Sequence, residues 1–362
     1  MKAHSLSANV SFDNYSFLVL NHRGRYLEPM ADLREFSDAL EIKPNDLPGF
    51  FQKFIVLPAD VTDVFVWVHG WRNGIDEAVA SARRLFASIV ELARSRGRVY
   101  PLLSEFRPAF VAVHWPSMSR PGPIGYRRIR DRARKLTDEG EAEFFLASLL
   151  GYLEVKNARV EGIGSKVLRA RGGFSVHCIG HSFGGRFLVA ALRAAAAPKS
   201  PKTLGLMKDV GMASRRVLSA GTDERFEFTA DSMMIFQMAA PAKSYSSELQ
   251  LLVTSSPLSG PVVLTHSRKD RANCLWHRAA EWGQPGIGCR GAKEPSREIQ
   301  AIRLKELDKS YSVKDFNSRI VNVDATWAFR KAWLRVEGAH SDFWYAESIH
   351  LLLSLVNLLR AR

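Results

Sequence analysis

Residues 176–185 read VHCIGHSFGG, and this stretch constrains the fold more than any other in the chain. The apolar run FSVHCIG ends in a histidine, a serine and further glycines, and the helical pattern GRFLVAALRAAAA follows at once. Glycine weakens helices and strands alike, so its concentration here marks a backbone with unusual demands. Gly180-His181-Ser182-Phe183-Gly184 fits G-x-S-x-G. A strand directly before it and a helix directly after are the context of a nucleophile elbow. A serine that attacks a carbonyl stands clear of the sheet on a sharp turn. Such a turn strains Ser182, and Gly180 and Gly184 remove side chains that would collide two positions to either side. Gly185 lets the helix start close to the strand, and the helix N-terminus aims free N–H groups at the site. The competing reading is a glycine-rich turn without chemistry.

The rest of the chain supplies the sheet that such an elbow needs. Short apolar runs at 15–20, 53–57, 63–70, 109–115, 174–180, 232–239, 261–267 and 319–325 read as strands. Helical spacing marks 76–95, 141–154, 185–197 and 343–361. DVFVWVHG is apolar almost throughout, as in a sheet covered on both faces. Alternating strand and helix predict an α/β fold, a mostly parallel central sheet with helices on both faces. No linker divides the chain, so 1–362 reads as one domain. Residues 1–50 form an N-terminal extension with an expected hairpin at NHRGR. The basic, weakly periodic stretches 116–137 and 198–228 read as insertions or loops.

Composition narrows the class. The chain has 362 residues, 46% of them hydrophobic, which is enough for a sizeable core. No apolar run reaches membrane-spanning length and the N-terminus carries no secretory pattern, so a cytoplasmic location is expected, with signal-independent export left open. Three cysteines, Cys178, Cys274 and Cys289, are too few and scattered to predict a disulfide framework, and no metal spacing links them. A reduced compartment is the default, with Cys178 a buried thiol. The formal net charge is +14, spread along the chain but densest in YRRIRDRARK at 126–135. An anionic surface or lipid is therefore a candidate partner. Nucleic acid is not an expected one, because no recognition motif accompanies the charge.

A nucleophile needs an oxyanion site, a base and an acid. The N–H of Phe183 is one expected oxyanion donor. The N–H of Trp71 is the other, because His69-Gly70 ends a buried strand and Gly70 permits a tight turn. His69 itself reads as structural. In this fold the order is serine, acid, histidine. His266 comes too early to leave room for the acid, His277 sits in a Trp-rich helical segment, and His350 lies within the last helix. His340, in VEGAHSDFW, is on a loop before that helix, where Gly338 loosens the chain and Ser341 or Asp342 is placed to cap it. Asp270, just past the strand PVVLTHS, is the expected acid, with Asp324 as runner-up. Trp71, Trp115, Phe183 and DFWY are candidates to line an apolar acyl pocket, or simply to pack.

These residues carry a resemblance to the α/β-hydrolase superfamily, and within it to a bacterial group of serine esterase-like proteins. The matching stretches are FVWVHGW, HWPS at 114–117, YRRIRDRARK, IGHSFGG, MAAPA, THSRKDRA and GAHSDFW, covering about 60 to 350. MAAPA departs from many relatives in lacking an aspartate after its proline. The resemblance implies an ester-cleaving serine hydrolase with Ser182, Asp270 and His340 as catalytic residues and no cofactor or metal. A small-molecule ester or lipid is the implied substrate. Three alternatives stand beside it: a hydrolase fold kept only for binding, a phospholipase acting on anionic lipid under a basic 116–137 lid, and a thioesterase, amidase or peptidase.

Overall fold

The computed structural model describes residues 15–29, 39–157, 173–195, 197, 199–209, 230–244, 248–254, 257–294, 298–330 and 337–360. Eight strands form one sheet: β1 (Tyr15–Val19), β2 (Asp63–Val68), β3 (Pro108–His114), β4 (Ser175–His181), β5 (Ser232–Phe236), β6 (Val262–His266), β7 (Ile299–Arg303) and β8 (Ile320–Asp324). The helices are α1 (Leu47–Phe54), α2 (Ile75–Ser95), α3 (Pro123–Arg134), α4 (Ala142–Asn157), α5 (Phe183–Ala194), α6 (Pro201–Asp209), α7 (Gln250–Thr254), α8 (His277–Ala280), α9 (Ile287–Arg290) and α10 (Ala346–Leu359).

Every strand pair is parallel, in the order β1-β3-β2-β4-β5-β6-β8-β7. The strands are apolar throughout because both faces are covered. In β2, Val64, Val66 and Val68 join the core beneath α1, α3, α4 and α5, while Phe65 and Trp67 join the core beneath α2 and α10. The same alternation runs through β3 and β5. The chain leaves β2 for β3 on one side, then crosses back to place β4 on the other. Such a reversal opens a crevice at the carboxyl ends of the strands. Here it separates the end of β2 from the end of β4, which leads into the Ser182 turn.

Several expectations need correction. Residues 53–57 are not a strand. Leu47, Phe50 and Phe51 share one buried helical face with Phe54 against it, so Lys53 and Phe54 end α1, which starts with a proline in its first turn, and residues 55–57 follow it without regular structure. Within 116–137, α3 is a regular helix with Tyr126, Ile129 and Ala133 buried, and a π-helical turn continues it over Lys135–Glu139. Of 198–228, α6 is helical and 210–228 lie outside the described residues. β7 escaped detection because its half-exposed IQAIR occupies the sheet edge, where a strand buries little. The 319–325 strand is present as β8, the last in chain order, and it lies inside the sheet, between β6 and β7. Residues 15–19 are the opposite edge strand, and the turn after them closes with the antiparallel bridge Leu20↔Tyr26. Among the described residues no helix is long and apolar enough to cross a membrane.

Cys274 and Cys289 are joined in a disulfide, with Cα atoms 5.0 Å apart. Counting cysteines could not reveal this pair, because their approach is made by the loop between β6 and α9. The bond removes the support for a reduced compartment. Cys178 is the free, buried thiol.

Candidate active site

Ser182 stands between β4 and α5 with φ 54° and ψ −119°. A non-glycine residue held there stores roughly 1–3 kcal/mol and persists only where its surroundings over-determine it. Its N–H donates to Phe236 O at 2.9 Å, which pins the turn to the end of β5. The glycines are demanded by space. A Cβ on Gly180 would press on the Gly185 backbone, and one on Gly184 would overlap the Val68 and His69 carbonyls. A Cβ on Gly185 would overlap Ile235, and one on Gly70 would overlap the His181 ring and reach Ser182 Cβ at 3.0 Å. The β2 and β4 chain ends are therefore as close as backbones allow.

The structure brings together three side chains that are distant in sequence. His340 Nε2 lies 2.8 Å from Ser182 Oγ. His340 Nδ1 lies 2.9 and 3.1 Å from the two Asp270 carboxylate oxygens. Asp270 accepts at Nδ1–H, which fixes the tautomer and leaves Nε2 as acceptor for the Ser182 hydroxyl. All three residues are buried. The acid and base loops are zipped together: Asp270 and Gly338 form an antiparallel bridge, and Ala339 N–H donates to Lys269 O at 3.0 Å. Gly338 permits this with φ 63°, where a Cβ would overlap Lys269 O. Neither Ser341 nor Asp342 caps α10. The N-cap is Tyr345, whose hydroxyl bonds Asp342.

Three residues around this line were not anticipated. Gln237, with φ 50°, donates Nε2–H to Asp270 at 3.0 Å and to Ala339 O at 2.8 Å. Asn273 donates its backbone N–H to Asp270 Oδ1 at 2.9 Å and its side-chain amide to Oδ2 at 2.8 Å. Together with His340 they give both oxygens of a fully buried carboxyl group hydrogen-bond partners. His181 donates from Nε2 to His340 O at 2.8 Å. Burial, with His340 adding to it, pushes His181 down to about 3, so it stays neutral. The only sequence signals were an amide just past β5 and an asparagine three residues after Asp270.

The N–H groups of Trp71 and Phe183 donate to no protein acceptor among the described residues. Their neighbours differ: Arg72 N–H goes to Ser117 O and Asn73 N–H to Ser117 Oγ. One donor without a protein acceptor thus follows Ser182 in the chain, and the other follows Gly70, the residue packed against Ser182. His69 is packed, with Nδ1 2.8 Å from Gly70 O and Nε2 2.9 Å from His114. Burial and then His114 hold it well below its ordinary 6.5.

The aromatic side chains mostly pack on one another. Trp115 is fully buried against Phe187 and donates to His69 O. Phe343 stacks on Phe236 and the His181 ring. Trp71, Tyr126 and Trp276 meet edge to face at 5.7 to 6.4 Å, with Tyr126 also against Phe183. Tyr126 Oη reaches His277 Nδ1 at 2.7 Å, and burial pushes His277 down to about 3. The rejected histidines are likewise engaged: His350 bonds Tyr100 Oη and Lys309 O. Asp324, the runner-up acid, accepts from Thr326 N–H and lies in register with His266, not beside His340.

Three arginines of 126–135 bond main-chain carbonyls, although Arg127 and Arg132 stay exposed. Arg127 donates to Ala279 O at 3.2 Å, Arg130 to Ala280 O, and Arg132 to Pro116 O and Met118 O. They tie α3 to the end of α8 and to the loop after β3.

A second serine, histidine and aspartate meet at the other end of the sheet. His177 Nδ1 is 2.8 Å from Ser232 Oγ, and Nε2 is 3.1 Å from Asp63 Oδ1. Asp63 also pairs with Arg360 and accepts from Thr62 Oγ1.

The fold and this site define a class: an α/β protein with a parallel sheet, a strained serine at a strand-to-helix turn and a buried His–Asp pair behind it. No model of a known protein family matches the chain, and curated proteins give no significant match.

Proposed function

We propose that this chain is a serine hydrolase of the α/β-hydrolase fold that cleaves a carboxylic ester through an acyl-enzyme on Ser182. One observation carries the reading: the continuous hydrogen-bond line from Ser182 Oγ through His340 to Asp270, anchored on a backbone strained at the serine itself. In this mechanism His340 Nε2 takes the hydroxyl proton as Ser182 Oγ bonds the ester carbonyl carbon. The carbonyl oxygen becomes an oxyanion held by the Trp71 and Phe183 N–H groups, each worth about 3 kcal/mol. Asp270 stabilises the imidazolium. The proton passes to the leaving alkoxide as the ester C–O bond breaks, and water repeats the sequence to release the acid.

Ser182 is fully buried, so substrate entry requires a neighbouring element to shift; Tyr126 of α3 packs against Phe183, the next residue. A fluorophosphonate probe tests the proposal. Labelling of the wild type but not of Ser182→Ala supports it. Absence of labelling in both, on a folded protein, would sink it in favour of a hydrolase fold kept for binding. A panel of short and long acyl esters, thioesters, amides and phospholipids then places the substrate class.

A further inference from the structure

The loop between β6 and α9 carries the acid on its inner side and a different chemistry outside. Asp270 and Asn273 face inward, and Trp276 packs against Trp71. On the outer side the disulfide borders a recess of about 410 Å³ whose rim includes Arg268, Arg278, Arg290, Lys293 and Leu275. All four cations are exposed, and none pairs with a carboxylate among the described residues. Leu275 is 58% exposed. Trp282, one residue before the Gly283 that also lines the recess, is 98% exposed at a turn held with φ 48°.

A fully exposed tryptophan is costly in water and at home in the headgroup region of a bilayer, where its ring is half-buried and its N–H stays wet. Four unpaired cations beside it complement anionic headgroups. Apolar anchor and positive charge on one surface are the two components of interfacial binding. We propose that this face docks the protein onto an anionic lipid surface, with Trp282 and Leu275 entering the interface and Arg268, Arg278, Arg290 and Lys293 meeting the headgroups. The docking face stands on this surface chemistry alone. Its consequence, that lipid esters are the substrates, rests on the hydrolase reading. The stretch 126–135 is basic too, but Arg127, Arg130 and Arg132 each bond a main-chain carbonyl there, whereas the recess pairs its cations with an exposed tryptophan.

The test uses the full chain as Ser182→Ala, which cannot turn over lipid, sedimented with phosphatidylcholine vesicles with or without phosphatidylglycerol. The protein is expected to pellet with the anionic vesicles only, and less as salt rises. In that background Trp282→Ser binds about tenfold less, through the lost apolar burial. Arg278→Gln and Lys293→Gln each bind about fivefold less. Equal pelleting with both vesicle types overturns the proposal, as does full binding by all three variants. Trp282→Ser with Ser182 intact keeps its fluorophosphonate labelling, which shows that it is folded. Vesicle binding without labelling of the wild type leaves the docking face standing and removes the hydrolase reading; labelling without vesicle binding does the reverse.

Discussion

Two lines of serine, histidine and aspartate run through this molecule, at opposite ends of one sheet. At the carboxyl end, Ser182 meets His340 Nε2 and Asp270 meets Nδ1. At the amino end the ring is reversed: Ser232 meets Nδ1 of His177, and Asp63 meets Nε2. Both lines are buried and both have hydrogen-bond distances, so neither property tells them apart. The backbone does. Ser232 and His177 sit inside β5 and β4, in the parallel ladder. Ser182 sits at positive φ on a turn, beside two N–H groups without protein acceptors, and its histidine and aspartate come from loops. Asp63 is further neutralised by Arg360, while Asp270 has only neutral amides besides its histidine. Three matching side chains make a buried polar network; the strained turn and the N–H donors without protein acceptors are what set Ser182 apart.

The comparison can be broken most directly at the serines. Ser182→Ala is expected to lower kcat by about 10⁴-fold or more and to end probe labelling. Ser232→Ala is expected to label as the wild type does, with a lower melting temperature. A Ser232→Ala protein that is folded but unlabelled erases the distinction. The aspartates come next. Asp270→Asn is expected to cost about 10⁴-fold in kcat, through the wrong histidine tautomer, and about 1–3 kcal/mol of stability, because the new amide N–H groups face the donors of Gln237 or Asn273. Asp63→Asn breaks a buried ion pair with Arg360 and is expected to cost about 3–5 kcal/mol of stability by urea unfolding, with normal turnover per folded molecule.

The disulfide gives a smaller effect. Cys274→Ser opens a loop of sequence separation 15 and is expected to lower stability by about 3 kcal/mol. Because Asn273 is its neighbour, the variant also loosens the upper line, and kcat should fall while the lower line's protection from hydrogen exchange persists.

The smallest effect is in pH. Burial holds His114 at about 4 and His181 at about 3, against an ordinary 6.5. Both are neutral when folded, and the unfolded chain takes up their protons first. Stability near the upper line is therefore full above pH 6.5 and drains as pH falls toward 4, by up to about 1.4 kcal/mol per pH unit per histidine. Asp63 behaves otherwise. Burial raises its carboxyl, but His177, Arg360 and Thr62 outweigh this and hold it below its ordinary 3.8. Its contribution is present above 3.8 and is lost only below that. Urea midpoints from pH 7 to 3 check the order, and His181→Asn should shrink the first loss.

Part of this was legible because it is local. Glycines that a turn demands stand in a row at 180, 184 and 185, and a run apolar on both faces announces a covered parallel strand. The order of serine, aspartate and histidine along the chain pointed to Ser182, Asp270 and His340, which the fold brings within hydrogen-bond reach. Gln237 and Asn273 were not legible, since an amide after a strand has no meaning until a carboxylate is folded against it. Nor was the end of α1 separable from a strand, because the four apolar residues 54–57 are too few to fix a period. Nor could the sequence show that Arg127 and Arg130 of the basic stretch meet the carbonyls of α8.

Neighbours along the chain set the local demands: which strands are buried on both faces, where the backbone turns on glycine, and which residue types stand at the ends of strands. Only the tertiary structure decided which of two serine–histidine–aspartate lines lies on strained backbone, which cysteines meet and which cations stay free. The physical reason is that backbone strain and apolar periodicity are set by neighbours along the chain, whereas pairing of charges, thiols and amides depends on distances that exist only once the sheet has closed.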